Sequence, residues 1–203
     1  KEAEEAAEDT AEETTEEAAA PSCDEVTRIF VWDNAVAELE SSEQPRGDEM
    51  RVSYSIKDAV EAMGIEGTEP CQTIGSDGYA NDEVYDELME KFFTTEGESA
   101  PIVVGEKQDP DWAVWEVAYI RIGSDAFMTA YTDEIPVSKI FEDLGMADAE
   151  SYDFICSDGY TDTVTKEELA DCYIRIIDGH VDGITPHTGD DSLWYLLSIQ
   201  VSK

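Results

Sequence analysis

The chain has 203 residues, of which 41% are hydrophobic, enough to bury a core in one or two domains. It carries 50 acidic side chains against 12 basic ones, a net charge of −38. Binding to nucleic-acid phosphate or to anionic lipid requires Lys and Arg, so this charge excludes nucleic acid as a partner. Cations, cationic proteins and neutral ligands stay open, and so does a surface whose charge only keeps the protein soluble.

Residues 1–22 open with the low-complexity run KEAEEAAEDTAEETTEEAAA, which holds nine acids and one lysine and leaves −30 for the rest. The run has no apolar face that could pack, which predicts a disordered acidic linker or stalk. No signal peptide or transmembrane run is visible, and the chain begins at Lys1. The run is similar to the stalk of bacterial surface lipoproteins. We therefore expect an extracellular protein that meets the membrane only through an upstream anchor.

The next feature is a duplication. The tetrapeptide SDGY occurs at residues 76–79 and again at residues 157–160, and the same offset of 81 aligns residues 56–93 with residues 137–174 without a gap. Further on, AVWEVAYIRI matches SLWYLLSIQV at an offset of 79. A repeat of this length indicates two copies of one supersecondary unit. We assign the first copy to residues 23–124 and the second to residues 125–203.

Each unit has the same predicted order of elements. An amphipathic helix ends at a glycine, Gly64 or Gly145, suited to a left-handed C-cap. A strand, the SDGY turn, a short helix around VYDELMEK or TKEELADC, and further strands follow. This mixture predicts an α+β fold, and we expect the two units to pack on one another by an approximate two-fold relation.

The SDGY motif predicts a structural turn between strand and helix. Its glycine can adopt positive φ, its aspartate can bond the local backbone, and its tyrosine can pack beneath the turn. Two retained copies favour a scaffold over a catalytic element. The turn residues are Ser76, Asp77, Gly78 and Tyr79 in the first copy, and Ser157, Asp158, Gly159 and Tyr160 in the second.

Residues 178–191, DGHVDGITPHTGDD, form the stretch richest in potential ligands. We select His180, His187, Asp190 and Asp191 as candidate ligand-binding residues, since imidazole and carboxylate suit divalent ions. The glycines and proline equally describe a solvated loop. The acidic surface is also compatible with weak calcium binding, although SDGYANDE lacks the acids of an EF-hand. The tryptophans fit either a ligand groove or, as we expect, the core: Trp32, Trp112, Trp115 and Trp194.

Four cysteines occur without a CxxC motif, and the two histidines are not spaced with them as zinc ligands. An even number in an exported chain favours two disulfides, with buried free thiols as the alternative. If the strands that Cys156 ends and Cys172 begins are antiparallel neighbours, these two cysteines meet at one edge. Cys23 would then pair with Cys71.

The order of motifs in the second unit resembles a known family. Pro136-Val137, Leu144-Gly145, SDGY and Trp194 stand where the molybdopterin-binding domain of sulfite-oxidase-type oxidoreductases has its characteristic residues, and the first unit matches more loosely. The resemblance implies two tandem copies of the C-terminal part of that domain. Its enzymes hold molybdenum through a cysteine and the pterin phosphate through basic residues, and this chain departs from the pattern in both respects.

Two functions are compatible with these features. The first is a non-enzymatic, surface-exposed binding or assembly module of an anchored bacterial protein, which takes a protein or small ligand and no cofactor. The alternative is an oxidoreductase or electron-transfer accessory that binds a pterin or another redox cofactor between the units.

Overall fold

The computed structural model describes residues 25–104 and 114–203. Of these residues 44% lie in strands, which form three sheets, and 16% lie in helices. The fold is therefore β-rich, and the predicted α+β class is wrong. The described strands are β1 (Arg28–Val31), β2 (Ser42–Arg46), β3 (Glu49–Ser55), β4 (Cys71–Gly75), β5 (Ala80–Glu83), β6 (Phe92–Thr94), β7 (Ile102–Val104), β8 (Val117–Ile122), β9 (Asp125–Met128), β10 (Glu134–Pro136), β11 (Ser151–Cys156), β12 (Thr161–Thr165), β13 (Tyr173–Ile177), β14 (His180–Ile184) and β15 (Leu196–Val201).

The helices in the described residues are short: α1 (Trp32–Ala35), α2 (Ile56–Ala62), α3 (Tyr85–Leu88), α4 (Val137–Leu144) and a 3-10 helix at Glu167–Asp171. The predicted left-handed glycine is confirmed after both amphipathic helices, with φ of 61° at Gly64 and 65° at Gly145. The error in fold class arises after the SDGY turns. There the sequence ANDE and the alternating TDTVT form strands β5 and β12, and the helices that we expected shrink to a single turn.

The central element is an eight-stranded sheet with the order β12-β11-β15-β1-β9-β8-β4-β5. The order is symmetric about its centre, because each strand on one side has its repeat counterpart at the same place on the other. The counterparts are β12 and β5, β11 and β4, β15 and β8, and β1 and β9. The middle pair, β1 and β9, is parallel, and the other pairs of this sheet are antiparallel. The first strand of each repeat pairs with the last strand of the other: β1 with β15, and β9 with β8. The two copies therefore share one sheet.

The two faces of this sheet carry separate cores. Along β1, Ile29 and Val31 pack into one core while Phe30 and Trp32, which follows the strand, pack into the other. Successive side chains of a strand point to opposite faces, so the cores lie on opposite sides of the sheet.

Each core is closed by one of the two smaller sheets. The sheet β10-β13-β14 and helix α4 cover the first core with residues of the second repeat, including Ile135, Ile140 and Ile174. The sheet β2-β3-β6-β7 and helix α2 cover the second core with residues of the first repeat, including Phe93 and Val103.

The predicted Cys156–Cys172 disulfide is not formed. Both thiols are buried and free, because β11 pairs with β12 and β15 whereas β13, which follows Cys172, belongs to a different sheet. The thiol of Cys172 lies against the carbonyl oxygen of Glu168. Cys71 is also free and buried, and its proposed partner Cys23 lies outside the described residues.

The predicted stalk, residues 1–22, also lies outside the described residues. Among the helices that the structure describes, none has the length and apolar character needed to cross a membrane.

We predict that residues 125–203, expressed alone, will not fold cooperatively, because β9 is joined to β15 only through β1. Adding residues 25–36 after residue 203 through a short turn should restore a cooperative melt at least in part, since β1 pairs antiparallel with β15 and Val201 N donates to Thr27 O at 3.0 Å. Thermal melts followed by circular dichroism, with residues 21–203 as the control, test this. A sharp melt of 125–203 alone would show that β1 is dispensable.

Candidate functional site

The two SDGY turns have the same geometry. Gly78 and Gly159 adopt φ of 85° and 88°, a region that glycine reaches without strain. The Oδ1 atoms of Asp77 and Asp158 each accept a hydrogen bond, at 2.9 Å, from the backbone N–H two residues on. The turns close the β4–β5 and β11–β12 hairpins and do not lead into helices, so the predicted strand-to-helix connection is wrong.

The aromatic side chains around these turns are exposed. Tyr79 and Tyr160 keep 50% and 59% of their surface accessible, so the prediction that they pack beneath the turns is wrong. Trp115 and Trp194 are 54% and 63% exposed, whereas Trp32 is buried as expected. Trp112 lies outside the described residues.

A backbone irregularity accompanies the exposed tryptophans. The residue after each tryptophan, Glu116 or Tyr195, has positive φ of 50° or 51°, uncommon for a residue with a side chain. The carbonyl oxygens of these two residues accept hydrogen bonds from the backbone N–H of Ser76 and Ser157, at 2.9 and 3.0 Å. Each SDGY turn is therefore hydrogen-bonded to the positive-φ residue that follows the tryptophan. We call Trp115 with Tyr79 the first platform, and Trp194 with Tyr195 and Tyr160 the second platform.

The second platform is supported by a buried carboxylate. Asp182 is fully buried, and its Oδ1 accepts a hydrogen bond from the backbone N–H of Tyr195 at 2.9 Å. Its Oδ2 accepts one from Ser192 Oγ at 2.6 Å, and His180 Nδ1 lies 2.7 Å from Oδ1. A buried carboxylate without partners is costly, and here each oxygen has at least one donor. Asp182 thus fixes the strained backbone of Tyr195.

The imidazole of His180 belongs to the same assembly. It stacks on the ring of Tyr195 with centroids 4.5 Å apart and an interplanar angle of 26°, and its centroid lies 6.4 Å from that of Trp194. Asn34 Nδ2, from α1, donates to the carbonyl oxygens of Val181 and Leu196 at 2.8 Å each. These contacts hold β14 and β15 together behind the platform.

This arrangement does not form a Ser-His-Asp triad. In such a triad the imidazole lies between serine and carboxylate and takes the serine proton. Here the Ser192 hydroxyl donates directly to Asp182, so the carboxylate lies between serine and histidine. The network positions side chains rather than activating Ser192.

The other predicted histidine lies in a separate network. His187 Nδ1 is 2.9 Å from Asp162 Oδ1, and its Nε2 is 3.3 Å from Glu168 Oε1. The neighbouring carboxylates, Asp162 first, raise the pKa of His187 above its ordinary value of 6.5. The pKa of Glu168 is lowered, chiefly by hydrogen bonds from Thr165 and also by His187.

The four predicted ligand residues therefore do not converge. His180 and His187 have different carboxylate partners, and Asp190 and Asp191 are exposed. No group of three or more His, Cys, Asp or Glu with metal-binding geometry occurs in residues 25–104 and 114–203. In the SDGYANDE hairpin, Asp82 accepts from Gln72 and Glu83 pairs with Lys91 and Thr73, so these carboxylates already serve the hairpin.

The described cysteines do not suit a molybdenum cofactor, whose protein ligand is a thiolate. Burial, reinforced by nearby carboxylates, raises the pKa of Cys156 to about 11 and those of Cys71 and Cys172 to about 12. All three thiols are buried, and those of Cys71 and Cys172 lie against the carbonyl oxygens of Thr68 and Glu168. The described cysteines are therefore held inside the protein and are not presented to the group that the resemblance implies.

Comparison with protein-family models, with curated proteins and with solved structures returned no match. The resemblance to sulfite-oxidase-type oxidoreductases therefore stays a prediction that rests on its motifs.

Sequence reasoning missed the residue on which the second platform depends. Asp182 lies in the selected stretch, residues 178–191, but the candidates named there were the histidines and the exposed aspartates beside it. Its signal is the HVDGI pattern, in which an aspartate stands between residues of an otherwise buried strand. A buried polar residue is informative because it must find partners.

Replacing Asp182 with alanine should lower the free energy of unfolding by about 3 kcal/mol, because the Tyr195 N–H and the Ser192 hydroxyl lose their acceptor. Chemical denaturation measures this. The exposed Asp190→Ala is the matched control and should change stability by less than about 0.5 kcal/mol. Equal effects of the two substitutions would contradict the positioning role of Asp182.

The pairing of His187 predicts a pH dependence. Because its pKa is raised in the folded state, its contribution to stability is fully present below the unfolded value of 6.5 and is lost as pH rises through the folded value. NMR titration of the imidazole should give a pKa above 6.5, and Glu168→Gln should lower it. His187→Gln assigns the signal by deleting it. A pKa at or below 6.5 would rule out the carboxylate pairing in solution.

Proposed function

We propose that this protein is a non-enzymatic binding module whose ligand is a cationic, Arg- or Lys-containing protein segment. The observation that carries the proposal is the exposed Trp194 beside Tyr195, whose backbone Asp182 holds in place, on a strongly acidic chain. Exposed aromatic rings that are fixed in position bind partners at low entropic cost.

The charge of the chain favours a cationic ligand over a neutral one. Seven of the described basic side chains already form ion pairs with carboxylates: Arg28, Arg51, Lys57, Lys91, Lys139, Lys166 and Arg175. With 50 acidic side chains against 12 basic ones in the sequence, carboxylates remain in large excess over the cations that pair with them. Such a field attracts a cationic segment and speeds its encounter.

The aromatic rings add short-range recognition to this attraction. A guanidinium or ammonium group over the face of Trp or Tyr gains about 0.5–2 kcal/mol. Asp158, in the SDGY turn beside Tyr195, supplies a carboxylate near the second platform. A ring face with a neighbouring carboxylate matches an Arg side chain in both charge and shape.

We further propose that the module is displayed at the surface of a bacterial cell by an anchored protein. The acid-rich residues 1–22 support this proposal. The free thiols of Cys71, Cys156 and Cys172 do not add to that support, because they form no disulfide.

Binding of an (Arg-Gly)4 peptide at 150 mM salt, measured by calorimetry, tests the proposal. In a Trp115→Ala background, which leaves only the second platform intact, Trp194→Ala should weaken binding 2- to 30-fold, the range that a cation–π contact of about 0.5–2 kcal/mol implies. Met50→Ala is the control, because Met50 is 57% exposed on β3 and belongs to neither platform.

Equal affinity with and without Trp194→Ala in that background would show that the peptide responds only to net charge, and would overturn the proposal. A neutral oligosaccharide, cellohexaose, is the second probe. If cellohexaose binds and loses affinity in Trp194→Ala while the peptide does not, the platform is a sugar site and the proposed ligand class is wrong.

A further inference from the structure

The topology places the two platforms at the same end of the eight-stranded sheet. Strands β4 and β11 both run parallel to the central pair β1 and β9, since each is separated from that pair by one antiparallel strand. Both SDGY turns follow the ends of these strands. Trp115 and Trp194 precede β8 and β15, which start at that same end. We call it the SDGY end of the sheet.

The strand order sets the spacing of the strands that follow the two tryptophans, whose equivalent first residues, Val117 and Leu196, face cores on opposite sides of the sheet. β15 and β8 are separated by three inter-strand steps, or about 14 Å at about 4.8 Å per step. The two SDGY hairpins are six steps apart, or about 29 Å. One extended polypeptide can span either distance with a short connection, at about 3.3 Å per residue.

The two platforms share a tryptophan and an SDGY tyrosine, whereas Tyr195 of the second platform has no aromatic counterpart in the first, and their supports differ. In the second repeat the N–H of Tyr195 donates to the carboxylate of Asp182, whereas in the first repeat the N–H of Glu116 donates to the carbonyl oxygen of Ser99 at 3.2 Å. In both repeats the tryptophan and the SDGY tyrosine are exposed. The duplication has thus kept the exposed rings while their supports diverged.

We infer that the protein is bivalent: the two platforms bind two cationic segments of one partner at the same time. This inference rests on the proposed function, because it assigns the same ligand chemistry to the first platform. Carboxylates accompany both sites, since Asp77 and Glu116 occupy in the first repeat the positions of Asp158 and Tyr195 in the second. Simultaneous binding makes the second contact intramolecular and raises affinity without new contacts.

The test compares two-armed and one-armed peptides on the intact chain. The two-armed peptide joins two (Arg-Gly)4 segments by Gly-Ser spacers of 6, 12 or 24 residues, which span roughly 13–27 Å as flexible chains. In the one-armed control, one segment is replaced by (Gln-Gly)4, so the length is unchanged. The native protein should bind the best two-armed peptide at least tenfold more tightly than the one-armed peptide.

The tryptophan variants distinguish a failure of bivalency from a failure of the proposed function. Trp115→Ala should reduce the two-armed affinity to the one-armed level, and Met50→Ala should not. If Trp194→Ala weakens the one-armed peptide but Trp115→Ala leaves the two-armed advantage intact, bivalency is overturned and the proposed function stands. If neither tryptophan affects either peptide, the proposed function fails and bivalency fails with it. Thermal melts of each variant establish that it is folded.

Discussion

The parallel pairing of β1 with β9 is the contact on which the remaining architecture depends. It joins the first strand of one repeat to the first strand of the other, and its register places Arg28 opposite Asp125. The Arg28 guanidinium binds the Asp125 carboxylate at 2.7 Å and covers the ring of Phe30 at 4.7 Å. A one-residue slip would exchange the side chains of the two cores, so this register decides which residues face which side.

Local features could be predicted from the sequence because neighbouring residues determine them. The positive φ of Gly78 and Gly159 follows from an Asp-Gly turn, and the left-handed Gly145 follows from the end of an amphipathic helix. Non-local features could not be predicted. Whether Cys156 and Cys172 meet depends on which strands pair. The sequence of a strand does not specify which other strand it pairs with.

The exposed tryptophans illustrate a different limit. Large apolar residues next to a strand are usually buried, and Trp32 follows that rule with its ring packed edge-on against Phe93 and Phe127. Trp115 and Trp194 depart from it: both are exposed, and each precedes a residue with positive φ. Composition cannot reveal that conformation, since Glu116 and Tyr195 are not residues that favour it. The candidate site could therefore be identified only from the backbone conformation in the structure.

The direction of the central strands also determines how the module faces its surroundings. β1 runs toward the SDGY end, so residue 25, where the described chain enters, lies at the opposite end of the sheet. The six-residue strand β8 alone separates the two ends by about 20 Å. The exposed tryptophans and the point where the described chain begins therefore lie at opposite ends of the central sheet, so a partner bound at the platforms, as proposed, would lie away from residue 25.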